Sequence, residues 1–250
     1  MAHSEASVVD SFTRQDQAHV GKTLESVRRR IDAAARRRGR QGSHVRLVAI
    51  TKNVGAELLV QAIEAGIEDI GENRIQEALA KQTQVAALLD PGRDADIRWH
   101  LVGHLQSNKA KRAASALDVV HSLDRERIAQ VLNDHRRADV SPLRVLIEVE
   151  LTGIAERAGV KPEGLVGLAE RVAQLPRLSL EGLMAMAPQV PDPGETRPYF
   201  TRLRELRDDL EGRLGRRLPE LSMGMSDDFE VAVEEGATMV RVGRAIFSPS

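Results

Sequence analysis

The chain contains no cysteine, which excludes thiol catalysis, disulfide bonds and zinc–thiolate sites. Aromatic residues make up 2% of the 250 residues, with one tryptophan and one tyrosine. The formal net charge is −1. A nucleic-acid surface draws on a basic stripe with interleaved aromatics, and a membrane surface on a basic excess; neither is present. No apolar run approaches the ~20 residues of a membrane-spanning helix. The opening "MAHSEASVVDSF" lacks the basic start and apolar stretch of a secretory signal, so a cytoplasmic protein is expected. Lysine is scarce as well: of 36 basic residues only Lys22, Lys52, Lys81, Lys109, Lys111 and Lys161 are lysines.

What is present is a hydrophobic content of 42%, enough for a sizeable core, in a length that suits two small domains or one large α/β barrel. The pattern predicts a flexible leader over residues 1–17. A helix follows over Ala18–Arg38, with Val20, Leu24, Val27 and Ile31 on one face. Eight short apolar strands come next, at Val45–Thr51, Glu68–Gly71, Ile97–Val102, Val119–Ser122, Val145–Glu150, Leu178–Met186, Leu221–Gly224 and Met239–Val242. Helical patterns lie between them, for example Val54–Ala65 and the stretch holding Leu203, Leu206, Leu210 and Leu214. Glycines in "EAGIED" and "EEGATM" mark helix ends before the next strand. Strands alternating with helices imply parallel pairing with right-handed crossovers, and eight of them predict a single closed (β/α)₈ barrel spanning 18–250. The Pro-rich run "PQVPDPGETRP" reads as a long loop after the sixth strand.

In such a barrel the residues after each strand face a common mouth. Lys52 follows the first strand; Glu72, Asn73 and Arg74 follow the second; His104, Gln106, Ser107, Asn108 and Lys109 follow the third. The seventh strand ends in "SMGMSDD" and the eighth in "RVGRAIF". Each brings a glycine next to a helix start, where backbone N–H groups favour an anion. The bland reading is capping, with Ser226 as an N-cap and Gly243 permitting a turn. Two such loops adjacent in space favour phosphate.

Lys52 admits three readings: a lysine reaching to solvent, a fixed positive charge for a phosphate or carboxylate, or an imine-forming amine with its pKa depressed by apolar surroundings and arginines. A phosphorylated aldehyde would need both the amine and the anion loops, and pyridoxal 5′-phosphate (PLP) is one. Arg241, inside the eighth strand, can point into the barrel and face a pyridine nitrogen, keeping it unprotonated; alternatively it pairs outward with a helix carboxylate. His100 and His104 lie about 13 Å apart at ~3.3 Å per residue, too far to share one metal ion. Ordinary hydrogen bonding is expected for these histidines and for His121, and no metal site is predicted.

"GENRIQE", "WHLVGHLQSNK", "HSLDR", "LEGLMAMAP" and "LSMGMSDDFEVAVEEGATMVRVGRAIF" occur in the order of the pyridoxal-phosphate homeostasis proteins, the YggS/PROSC family. The chain resembles that family from about Val20 to Phe247. The resemblance implies the barrel of an alanine racemase N-terminal domain without its C-terminal β domain, and PLP as cofactor. By position it implies Lys52 as the residue forming a covalent aldimine. Ser226, Gly243 and Arg244 fall at the cofactor phosphate, Arg241 near the pyridine nitrogen, and Asn73 beside the ring; Met223 is also placed among the cofactor-binding residues. Three departures stand out. The family's "TKP" or "TQP" is "TKN" here, Arg244 replaces the common hydroxyl residue after the strand-eight glycine, and the chain ends "FSPS" instead of "FG".

Two functions share this cofactor. A carrier buffers PLP and passes it to recipient apo-enzymes; the resemblance suggests a monomer without catalytic residues. A racemase needs an acid/base on each face of the substrate carbon, and Lys52 supplies one. The opposing tyrosine of alanine racemases comes from the missing domain, and the only tyrosine, Tyr199, has no evident route to the mouth. The carrier is the favoured reading.

Overall fold

The computed structural model describes residues 6–154 and 157–248. Eight parallel strands close in chain order: β1 (Arg46–Ile50), β2 (Asp69–Glu72), β3 (Arg98–Leu101), β4 (Val119–Leu123), β5 (Leu143–Glu148), β6 (Leu178–Met184), β7 (Glu220–Ser222) and β8 (Met239–Val242). Closure is made by β8 on β1, with Arg46 opposite Met239 and Val48 opposite Arg241. The expected barrel is therefore the observed one, with several strand ends shifted by a residue or two.

The helices are α1 (Ala6–Arg36), α2 (Ala56–Glu64), α3 (Ile75–Leu88), α4 (Ser107–Ala116), α5 (Glu126–His135), α6 (Pro162–Ala173), α7 (Arg197–Leu214), α8 (Phe229–Glu234) and α9 (Arg244–Phe247). The first helix starts at Ala6 where Ala18 was expected, and ends at Arg36 where Arg38 was expected; residues 1–5 lie outside the described residues. The buried stripe of the described part of the helix is Val20, Leu24, Val27 and Ile31. This stripe packs α1 across α2, α8 and α9, and ion pairs from Arg30 to Glu230 and Arg37 to Glu234 tie it to α8. The other helices follow the same logic: Phe200, Leu203, Leu206 and Leu210 form the buried stripe of α7, each contributing roughly 1.5–3 kcal/mol on burial. The two predicted glycine stops are found, Gly66 at φ 89° and Gly236 at φ 105°, in the left-handed region that glycine enters without a Cβ clash.

Alternation along the strands sorts side chains between the helix layer and the barrel interior. Inside, Val48, Leu146, Met184 and Met239 form an apolar layer with Ile50 against it. Nearer the strand starts the interior is charged. Glu220 accepts from Arg46 at 3.3 Å and from Arg144 at 3.2 Å, while Arg98 grips Asp69 through two 2.8 Å bonds. A cleft of about 820 Å³ opens at this end, opposite the mouth.

Candidate functional site

Lys52 leaves the end of β1 exposed to solvent and makes no hydrogen bond or ion pair with another described residue. The residue before it is held firmly. Thr51 donates its backbone N–H to Gly71 at 3.1 Å and its hydroxyl to Glu72 Oε1 at 2.5 Å. Lys81, reaching in from α3, donates to the same Glu72 oxygen at 2.5 Å and to the Thr51 carbonyl. The "TK" and "GEN" stretches are thus one unit, with a buried lysine–glutamate pair fixing the point from which the Lys52 amine departs. Sequence reasoning did not find Lys81, whose position inside a helix gives no sign of it. Asn53 sits at φ 62°, which a proline ring locked near −65° cannot adopt. The absence of the family's proline therefore has a conformational counterpart in the loop after Lys52.

Beside the end of β1, which pairs with β8, Ser226 Oγ lies 3.4 Å from both the Gly243 and Ala245 backbone nitrogens, whose N–H groups point at it. A hydroxyl and two amides at the start of α9 make a cradle suited to phosphate oxygens. Ser226 is not the helix cap, since Asp228 occupies that position before α8 and its Oδ1 accepts from the Met225 N–H at 2.6 Å. Gly243 is required by space: a Cβ there would lie 2.9 Å from the Ile50 carbonyl oxygen. Arg244, in place of the usual hydroxyl residue, is exposed and paired with Asp227. Its guanidinium is thereby matched to a carboxylate at the rim.

Arg241 points inward and is buried, which rejects the outward pairing. It donates to Ser222 Oγ at 2.7 Å and to the Ala185 carbonyl at 3.0 Å. Burial lowers its pKa to about 10, against the opposing pull of the Glu148 and Asp228 carboxylates. Because Ser222 faces inward, the adjacent Met223 faces outward, and its side chain is buried in the core between strands and helices. Met223 thus lies behind the site, and its side chain does not line the mouth. Asn73 is half-buried after β2 and lines a cleft of about 700 Å³ with His104 and Lys109.

Two further features escaped the sequence reading. The first is a buried chain running from Ser222 through His121 and His100 to Asp69. The expectation that these histidines make ordinary hydrogen bonds is met, but their mutual contact was unforeseen. The second is Glu148, the last residue of β5, whose buried carboxylate has no hydrogen bond to the described residues. Burial raises its pKa from 4.5 to about 7; Asp124 adds to the shift and Arg241 opposes it. The folded protein therefore retains this proton at pH values where the unfolded chain has released it. The stabilising contribution is complete below pH 4.5 and is lost as pH rises through about 7. Glu148→Gln, which imitates the neutral form, should remove that slope. Relative to the wild type, urea unfolding should show a gain of at most about 3 kcal/mol at pH 8 and little difference near pH 4. Equal slopes in both proteins would discount the buried carboxyl.

The architecture and mouth define a class before any particular relative does. Residues 23–250 match the family model described as "Alanine racemase, N-terminal domain". The chain is 43% identical to the pyridoxal phosphate homeostasis protein of Pseudomonas aeruginosa, over 91% of this chain and 94% of that one. It is 40% identical to the protein of the same name from Aquifex aeolicus, over 90% and 95%. Among solved structures, PipY of Synechococcus elongatus, determined with PLP bound, superposes with a TM-score of 0.77 at 33% identity, covering 92% of this chain and 100% of PipY. The chain belongs to the pyridoxal phosphate homeostasis protein family, built on the alanine racemase N-terminal barrel.

Proposed function

We propose that this protein binds PLP as a Schiff base on Lys52 and acts as a cytoplasmic, monomeric carrier that buffers the aldehyde for recipient apo-enzymes. The observation that carries this reading is an unpartnered amine at the end of β1 next to the Ser226–Gly243–Ala245 cradle at the end of the adjoining β8. The amine attacks the aldehyde carbon and water leaves as the C=N bond forms. The cradle would hold the phosphate through two N–H groups and a hydroxyl, with Arg244, its guanidinium matched by Asp227, at the rim; Asn73 would lie beside the ring and Arg241 would face the ring nitrogen. The names of the relatives and the PLP found in PipY support the same reading. Incubation of the purified protein with PLP should give a yellow imine band, and borohydride reduction should fix the cofactor to the Lys52 peptide. A colourless, unmodified protein would overturn the reading.

The cradle has its own test. Gly243→Ala places a Cβ against Ile50 and forces the α9 start to move. PLP should bind about tenfold more weakly by isothermal titration, in line with one lost charge-assisted hydrogen bond, while pyridoxal, which lacks the phosphate, should be unaffected. An equal loss for both ligands would place the phosphate elsewhere.

The racemase reading requires a second acid/base opposite Lys52. Tyr199, the only tyrosine, sits on α7 and packs against the core between strands and helices. Incubating the PLP-loaded protein with single L-amino acids in D₂O separates the two readings. A carrier leaves the α-hydrogens in place, whereas rapid α-deuteration with appearance of D-isomers would establish catalysis.

A further inference from the structure

A hydrogen-bonded chain of side chains crosses the barrel interior from the charged end to the mouth, and its donor direction is determined from one end. Asp69 is gripped by Arg98, whose Nε and Nη2 donate to its two oxygens at 2.8 Å each. The carboxylate is therefore an acceptor, and His100 Nε2, 2.8 Å from Oδ1, must carry a proton. In a neutral imidazole the other nitrogen then accepts, so His100 Nδ1 takes a hydrogen bond from His121 Nε2 at 2.8 Å. By the same step His121 Nδ1 accepts from the Ser222 hydroxyl at 2.8 Å. With its hydrogen committed, Ser222 Oγ can only accept from Arg241 Nη1, at 2.7 Å. Every link points toward Asp69, and reversal would need a protonated carboxyl between arginines.

Burial holds both imidazoles neutral. His100 is lowered chiefly by desolvation despite Asp69, and His121 further, with His100, Arg241, Arg46 and Arg144 adding to it. Ser222 and both histidines are essentially without solvent contact, so water cannot substitute for a missing link. At the other end, Arg241 Nη2 is fixed on the Ala185 carbonyl, and the charged groups facing the guanidinium are Glu148 from β5 and Asp228 before α8.

We propose that His121 and His100 are positioning residues which, through Ser222, hold Arg241 in a single orientation and so fix the charge presented to the ring nitrogen of PLP. The proposal rests on the PLP reading above only for the identity of what Arg241 faces; the fixed arginine is a property of the protein alone. A ring nitrogen opposed by a guanidinium that cannot swing away stays unprotonated, which restrains the ring as an electron sink and suits a carrier. The device spans the barrel, because its anchor, Asp69, lines the cleft at the end opposite the mouth.

The test has a cofactor-free arm and a loaded arm. In the apo-protein, heteronuclear NMR should show His100 and His121 as neutral Nε2–H tautomers and a slowly exchanging Arg241 guanidinium. Ser222→Ala and His121→Leu should each abolish the slow exchange. His121→Asn, whose Oδ1 can take the acceptor place of Nδ1, should restore it even though the orphaned His100 lowers stability. With isotope-labelled PLP bound, the ring-nitrogen resonance should stay constant from about pH 8 to pH 6 in wild type and His121→Asn, and titrate in Ser222→Ala, which should bind PLP about tenfold more weakly. Nδ1–H tautomers in the apo-protein would overturn the proposal. So would an Arg241 that stays slow, with an untitrated ring nitrogen, in both Ser222→Ala and His121→Leu. Absence of PLP binding by the wild type would instead defeat the functional reading and leave the first arm to decide the chain's direction.

Discussion

Lys52→Ala, incubated with PLP, is expected to remain colourless and to show no mass increase after borohydride reduction. Its folding should be untouched, because the side chain is exposed and makes no bond to another described residue. Ligand-linked stability separates loss of binding from loss of fold. At a PLP concentration about 100 times its dissociation constant the wild type should gain about 2.7 kcal/mol, and the variant almost none. Lys52→Arg sharpens the comparison. It keeps a positive charge at the end of β1 but cannot form an imine, so it distinguishes an amine that reacts from one that merely attracts an anion. If the arginine variant retained the full stabilisation, the covalent role would be wrong and the electrostatic role right. Unaltered colour in the alanine variant would move the Schiff base to another lysine.

Gly182→Ala is expected to lower stability by about 3 kcal/mol or more, through backbone collision. An ideal Cβ at this position would lie 1.8 Å from the Glu220 carbonyl oxygen and 2.7 Å from its carbon, both in the adjacent strand β7. The closeness originates in a bulge. Val145 pairs with Leu180 and the next residue, Leu146, with Gly182, so Glu181 has no partner across the ladder. An extra residue of this kind bends its strand locally. The same bend delivers the end of β6 to the site, where Ala185 donates its N–H to Ser222 and offers its carbonyl to Arg241. The urea midpoint should fall, and whatever protein remains folded should bind PLP less well. A variant with unchanged midpoint and unchanged binding would show that the bulge is not packed as described.

The parts of the fold that were legible are those written locally. Strand periodicity, the glycines at Gly66 and Gly236, and the α7 stripe each depend on residues within one or two turns, and the structure returns them with small boundary shifts. The start of α1 was not legible, because Val8, Val9 and Phe12 are separated from Val20 by the mostly polar run "TRQDQAH", which interrupts the stripe. At the mouth, Lys52 and Gly243 were picked out because they stand just past the ends of β1 and β8, and Ser226 because it lies in the short loop after β7. Met223 was misplaced by one step of alternation: Ser222 faces inward and its neighbour cannot. Links such as His121 to Ser222, 101 positions apart, are created only by barrel closure. Nothing near either residue in the chain announces the other. Glu148 was hidden for a related reason, since its environment comes from burial in the closed barrel, with Arg241 on β8 and Asp124 just after β4 as its charged neighbours.

The charged end of the barrel bears on how the molecule is made. Arg46 and Arg144 share one carboxylate, and that carboxylate, Glu220, belongs to the seventh strand. While the chain is being synthesised, Arg46 can first meet Asp69 of β2, 3.8 Å from it in the finished barrel. Arg144, by contrast, emerges well before Glu220, and enclosing it alone would carry part of the penalty of an unpaired ion. Shutting the base around Arg144 is therefore expected to wait for β7. A nascent chain arrested before Glu220 should consequently be an open, protease-sensitive sheet, with compaction appearing abruptly once that glutamate clears the ribosome.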